Sequence, residues 1–261
     1  MKIDIQEYQN FALSFVEKSG EILKEKFKKN YNVSSKNDGS FVTDIDKEIE
    51  KLFRLKINSL FPSHGIIGEE FDNKNINSNE IWVIDPLDGT HSFIAGKPLF
   101  GTLVCLIINK VPTLGIIDIP ILNQRWHGGL SLGVYLNNKI CKKVKDKPLS
   151  ESIVSSTSFL MFNEVQLAKV KKVYSKSKFS TFGTDCFGYG LLLSGKIDLI
   201  VEANMKPWDY MAQIPLIKEQ GGFISDWSGK PLNLNSNGEV IACRSESCYN
   251  EAMKFLSNER D

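Results

Sequence analysis

The run Ile81-Trp-Val-Ile-Asp-Pro-Leu-Asp-Gly-Thr90 carries two aspartates, Asp85 and Asp88, out of an apolar stretch and into a turn rich in proline and glycine. Pro86 fixes φ and removes a backbone donor, so the chain leaves the strand just after Asp85, and Asp88 can fold back toward it. Two carboxylates held that close repel and take up protons near neutral pH unless a cation sits between them. The pair therefore suits a hard ion such as Mg²⁺. Gly89 and Thr90 add backbone N–H groups and one hydroxyl, which suit a phosphate oxygen or a reacting water. The same letters also make an ordinary Asp-rich turn, favoured by D-P and D-G dipeptides.

Three further acidic positions stand in similar settings. Gly68-Glu69-Glu70 ends a short apolar run, and Asp46 opens a helix over 44–58. Asp209, in Pro207-Trp-Asp-Tyr210, begins an apolar-periodic segment that reads as a helix over 208–220 closed by Gly221-Gly222. Each has a plainer reading too: Asp46 and Asp209 as helix N-terminal charges, and the glutamates as solvated surface. Pro215 forfeits a backbone hydrogen bond and predicts a kink in the 208–220 helix.

Taken in series, Gly68-Glu69-Glu70, Trp82-Val-Ile-Asp-Pro-Leu-Asp-Gly-Thr90 and Trp208-Asp209 resemble the inositol monophosphatase superfamily of Mg²⁺-dependent, lithium-sensitive phosphomonoesterases. The resemblance covers nearly the whole chain. It implies an α/β fold, the five-layer αβαβα sandwich of the sugar phosphatases, and a homodimer. It also implies two to three Mg²⁺ ions, with Mn²⁺ as a substitute. Glu69, Asp85 and the Leu87 carbonyl would hold one ion, and Asp85, Asp88 and Asp209 a second; a third, weaker ion would lean on Glu69. Asp46 and Thr90 match the pair that polarises the attacking water, while Asp88 and the N–H groups of Gly89 and Thr90 border the phosphate. The ions would supply Lewis acidity at the water and at the departing alkoxide.

Substrate choice rests on the segment before Asp209. Gly183-Thr-Asp-Cys-Phe187 and Val201-Glu-Ala-Asn-Met-Lys-Pro-Trp-Asp-Tyr210 look like the histidinol-phosphatase branch. Histidinol phosphate carries an ammonium and an imidazole, so Asp185 and Glu202 would supply acceptors to a cationic leaving group. Such a charge-assisted bond contributes roughly 1.5–3 kcal/mol. Asp185 reads equally well as a helix N-cap. An inositol 1-phosphate or sugar-phosphate phosphatase is the alternative within the class, and a regulatory binding protein the alternative outside it.

Composition narrows the classes. With 32 basic and 31 acidic residues among 261, the chain has no excess charge for nucleic acid. No stretch approaches the ~20 apolar residues needed to cross a bilayer, and the first residues lack a secretion signal's apolar core, so a cytoplasmic protein is expected. Five cysteines without a C-x-x-C pair fit reduced thiols.

Period and punctuation alternate between helix and strand. The first helix is expected to bury Phe11, Phe15, Ile22 and Phe27. A polar stretch over 30–40 reads as a plain loop, while the resemblance implies a flap beside the metals in which Lys36 and Asp38 approach the substrate. The lysine-rich stretch from Lys142 to Pro148 divides an N-terminal half, 1–145, from a C-terminal half, 146–261. His64 and His127 are expected at the surface, and His91 near phosphate.

Overall fold

The computed structural model describes residues 5–29, 31–35, 41–142 and 145–257; Lys36 and Asp38 lie outside them. The chain begins with α1 (Ile5–Lys26), the short strands β1 (Val33–Ser35) and β2 (Phe41–Thr43), and α2 (Asp44–Leu60). There follow β3 (Gly65–Gly68), β4 (Glu80–Asp88), α3 (Thr90–Ile94), β5 (Gly101–Ile108), β6 (Val111–Ile119), β7 (Gln124–Gly129), β8 (Gly133–Leu136) and β9 (Lys139–Ile140). The remainder is β10 (Ile153–Ser156), α4 (Glu164–Lys176), β11 (Phe179–Phe182), α5 (Asp185–Leu193), β12 (Leu199–Glu202), α6 (Pro207–Tyr210), α7 (Gln213–Glu219), β13 (Phe223–Ser225), β14 (Val240–Cys243) and α8 (Glu246–Leu256).

Strands β3 to β9 form one sheet in chain order, antiparallel except for the β3–β4 pair. The second sheet runs β11-β10-β12-β14-β13, with its first three strands parallel. Strand residues alternate between faces, and here both faces are buried. Trp82 and Ile84 of β4 pack under α1 and α2, while Ile81 and Val83 face the middle layer. Leu199 and Val201 of β12 turn to α4 and α8, and Ile200 turns inward. Helices α5 and α7 fill the space between the sheets. The order is helix, sheet, helix, sheet, helix, as expected.

That parity positions the site. Asp85 has the parity of Ile81 and Val83, and Glu202 that of Ile200, so both carboxylates end strands on faces turned to the middle layer. Asp209, on α6, already lies there.

Several local expectations change. The buried stripe of α1 is Gln9, Ala12, Phe15, Val16, Ser19, Gly20 and Leu23; Phe11 and Ile22 only flank it, and Phe27 follows the helix. Part of the polar stretch before α2 is strand, since Val33–Ser35 pairs with Phe41–Thr43. His64 is buried rather than at the surface, only 5% exposed. Its Nδ1 accepts the Trp82 indole N–H at 3.0 Å and its ring stacks on Phe61, an apolar setting that holds its pKa below the ordinary value. The 208–220 helix is interrupted at Met211-Ala212, between α6 and α7. Met211 is four residues before Pro215, whose missing N–H would have bonded its carbonyl. Gly221, in the left-handed region at φ 76°, and the bond from Gly222 N to the Ile217 carbonyl close α7 as expected.

Candidate active site

Three aspartates converge at the carboxyl end of β4. Oxygen atoms of Asp85, Asp88 and Asp209 all lie within 4.8 Å of one another. The turn between them is held from within: Leu87 N donates to Asp85 Oδ1 at 2.9 Å, and Cys186 N, on the first turn of α5, donates to Asp88 Oδ2 at 2.7 Å. Asp209 Oδ2 accepts Lys206 N at 2.7 Å, which anchors the start of α6.

Burial pushes all three carboxyls above the ordinary carboxylate range, and their neighbours push them further. For Asp85 the added charges are Glu69, Asp88, Asp209 and Asp46. Asp88 rises to about 7, with Asp185 the chief charged contributor. Asp209 rises well above its usual value, with Asp88 as the first charge felt. A divalent cation would remove both penalties, and an all-oxygen donor set selects a hard one. The residues present therefore fit Mg²⁺.

Glu69 enters the same cavity from the end of β3. A cavity of about 300 Å³ is lined by Glu69, Asp85, Leu87, Asp88, Gly89, Thr90, His91, Asp185 and Asp209. Glu50 of α2 holds the Glu69-Glu70 turn: its Oε2 accepts Glu70 N at 2.7 Å, and its Oε1 accepts Arg54 Nε at 2.8 Å. A Cβ on Gly68 would stand 2.2 Å from Glu50 Oε1, so only glycine admits this buried carboxylate. Sequence reading passed over Glu50 and Arg54, although their i, i+4 spacing on a helix was visible.

Asp46 and Thr90 lie within reach of each other. Asp46 Oδ2 accepts Thr43 N at 2.8 Å, closing a capping box at the start of α2, and Oδ1 lies 3.4 Å from Thr90 Oγ1. Thr90 Oγ1 is also 3.0 Å from the Leu87 carbonyl.

Asp185 is not the N-cap of α5, a place held by Thr184. It opens the helix with φ 45°, an unusual conformation for a residue with a side chain. Its Oδ2 accepts Ser92 Oγ of α3 at 2.5 Å, and the space that a Cβ on Gly89 would need is taken by Asp185 itself. The aspartate thus bridges α3 and α5 at the cavity wall.

Glu202 lines an adjoining cavity of about 200 Å³, with Asp88, Asp185 and Asp209 on its near side and Met161, Asn204 and Met205 beyond. Its Oε1 accepts Thr157 N at 3.1 Å and Thr157 Oγ1 at 2.6 Å, and its Oε2 accepts Tyr189 OH at 2.9 Å. Burial raises its pKa, and the bonds from Thr157 and Tyr189 pull it back. Neither partner nor Ser92 stood out in the sequence, because their roles depend on contacts far away along the chain.

A roomier cavity, about 670 Å³, lies elsewhere, between Ile76–Asn79, Lys110 and Leu232–Asn235. Its lining carries no carboxylate, and its only charged side chain is Lys110. Among the described residues no helix is long and apolar enough to cross a membrane.

The inositol monophosphatase family matches residues 4–258 of the chain. The bifunctional phosphatase IMPL2, chloroplastic, of Arabidopsis thaliana is 38% identical over 226 residues, 86% of this chain and 65% of that protein, so the chain spans just under two thirds of that relative's length. A histidinol-phosphatase of Chlorobaculum parvum is 31% identical over 236 residues, 88% of this chain and 90% of that protein. Among solved structures, an inositol monophosphatase from Zymomonas mobilis superposes with a TM-score of 0.88 at 31% identity, covering 98% of this chain and 99% of that one. With the acidic cluster and the five layers in place, the chain belongs to the inositol monophosphatase family and is a phosphatase of that family.

Proposed function

We propose that the chain hydrolyses L-histidinol phosphate to L-histidinol and phosphate. The observation that carries this reading is the pair Asp185 and Glu202 on the wall of the cavity that holds Asp88 and Asp209. They are acceptors placed for a cationic leaving group beside the ester. The similarity to the histidinol-phosphatase of Chlorobaculum parvum supports it.

In this reading Glu69, Asp85, the Leu87 carbonyl, Asp88 and Asp209 would hold two to three Mg²⁺ ions, with Mn²⁺ as a substitute, and the ions would supply Lewis acidity and neutralise the phosphate's charge. The protein's own residues do the rest. Thr90 has one proton and two acceptors in reach, the Leu87 carbonyl and Asp46. Directed at Asp46, that proton leaves the Thr90 oxygen to accept from and orient the attacking water. The Gly89 and Thr90 N–H groups hold the phosphate. Residues 1–145 and 146–261 act as two halves closing on one site, in a cytoplasmic homodimer; sedimentation and cell fractionation test those last two points.

Phosphate release from histidinol phosphate, inositol 1-phosphate, fructose 1,6-bisphosphate and adenosine 3′,5′-bisphosphate, with and without Mg²⁺, tests the proposal, with Asp88→Asn as control. A strong preference for histidinol phosphate, lost in the control, is the expected result. Preference for inositol 1-phosphate would instead favour the second reading, which the Zymomonas mobilis likeness supports.

A further inference from the structure

Beneath the metal-ligand turn, on the side away from the cavity, lies a buried pair of hydroxyls. β4 and β5 lose register there: Asp85 pairs with Leu103 and Asp88 with Gly101, so Pro86 and Leu87 both face Thr102. A bulge of this kind disrupts the ladder and leaves a carbonyl to find a partner elsewhere. Thr102 Oγ1 donates to the Pro86 carbonyl at 3.0 Å, and Ser19 Oγ of α1 lies 2.7 Å from Thr102 Oγ1. Both residues are fully buried. A carbonyl only accepts, so the single proton of Thr102 is committed to Pro86, and Ser19 must be the donor in the second bond.

Helix α1 comes this close because Gly20 follows Ser19. A Cβ at Gly20 would stand 3.1 Å from Asp118 Oδ2 and 3.2 Å from Pro120 Cβ. The neighbours of Thr102 on the same face of β5, Val104 and Leu106, belong to the apolar core. A valine would fill the place by shape. The hydroxyl is spent on one carbonyl, the one that links Asp85 to Leu87 and Asp88.

We infer that Thr102, buttressed by Ser19, is a positioning residue of the cation site: it fixes the Pro86 carbonyl so that Asp85, the Leu87 carbonyl and Asp88 converge. The inference rests on the cation site proposed above. Its test is calorimetric titration of the full chain with Mg²⁺, with the Mg²⁺-induced rise in Tm alongside. Thr102→Val should weaken Mg²⁺ binding about 10- to 100-fold, in the range found for groups that orient metal ligands, and Thr102→Ser should restore it. A folded Thr102→Val protein with wild-type Mg²⁺ affinity overturns the inference. Should that variant fail to fold, Ser19→Ala serves: a loss of about threefold or more supports the relay, and unchanged affinity overturns it. Wild-type protein that takes up no Mg²⁺ would instead sink the cation site itself, so the two failures are distinguishable.

Discussion

Asp185 combines a strained backbone with a short bond to Ser92, and a conformation of that cost persists only where the surroundings over-determine it. If it serves the substrate's ammonium, Asp185→Ala should lower kcat/KM for histidinol phosphate about 10- to 100-fold more than for a neutral phosphomonoester. Equal losses on both esters would leave Asp185 a bridge between helices only. The raised carboxyls give a second prediction. Asp88 stands at about 7, so between roughly pH 4 and 7 the folded, chelated protein keeps a proton that the unfolded chain has released. Stability from this group is therefore lost as pH rises through that window. Tm in EDTA should fall from pH 5.5 to 7.5, and Mg²⁺ at about 100 times Kd should raise the pH 7.5 value by roughly 5–10 °C. Identical melting with and without Mg²⁺ would speak against a cation. His64 has the opposite sign: its lowered pKa means that the unfolded chain takes the proton first, so its contribution is present above about pH 6.5 and lost below. The Tm of wild type minus that of His64→Asn should therefore be smaller at pH 5.5 than at pH 7.5. Proline and glycine marked the turn of Asp85 and Asp88, but only the motifs in series, through the resemblance they carry, joined Asp209 to them. His64 was misjudged because its burial comes from Tyr8, Phe61 and Trp82, which only the fold brings around it.

At the scale of elements, the interruption between α6 and α7 was readable from one proline, since a missing donor has a fixed local consequence. Its packing was not. A Cβ on Gly115 of β6 would lie 2.0 Å from the Ala212 carbonyl, so the interrupted turn rests directly on a strand glycine. Gly115→Ala should destabilise the protein by about 1–3 kcal/mol, as overpacking does, measurable by urea unfolding. Pro215→Ala makes a sharper test of what the break is for. The variant regains an N–H for the Met211 carbonyl, so its Tm in EDTA should hold or rise. If the break aims Asp209, Mg²⁺ affinity should nevertheless fall, by about tenfold on the scale of ligand-orienting changes. Wild-type affinity would make the proline neutral to the site. The roles of the buttresses Glu50, Tyr189 and Thr157 were illegible for a related reason: each acts across elements, and even the visible i, i+4 spacing of Glu50 and Arg54 does not tell which distant turn the carboxylate will hold.

The molecule as a whole shares its site between layers. Asp85 and Asp88 come from the large sheet, Glu202 from the small one, and Asp209 from a middle-layer helix that packs on β4. A cation held there should stabilise the protein as a unit, so calorimetry should show one endotherm that Mg²⁺ moves intact. Two endotherms, of which only one responds, would mean that the halves melt separately. The alternation of strand and helix marked an α/β chain, and the layer order followed only with the family resemblance added. Strand order in the small sheet did not, because β14 inserts between β12 and β13, a pairing of distant segments that no local signal encodes. That same topology sets a timetable for assembly. From β4 to β9 each strand pairs with the next in sequence, so the large sheet can form from short loops, whereas the small sheet must wait for distant partners. Asp209 reaches Asp85 and Asp88 only when α6 docks on β4. The acidic cluster therefore closes late, and Mg²⁺ uptake during refolding becomes a clock for the final step, lagging behind collapse and secondary structure.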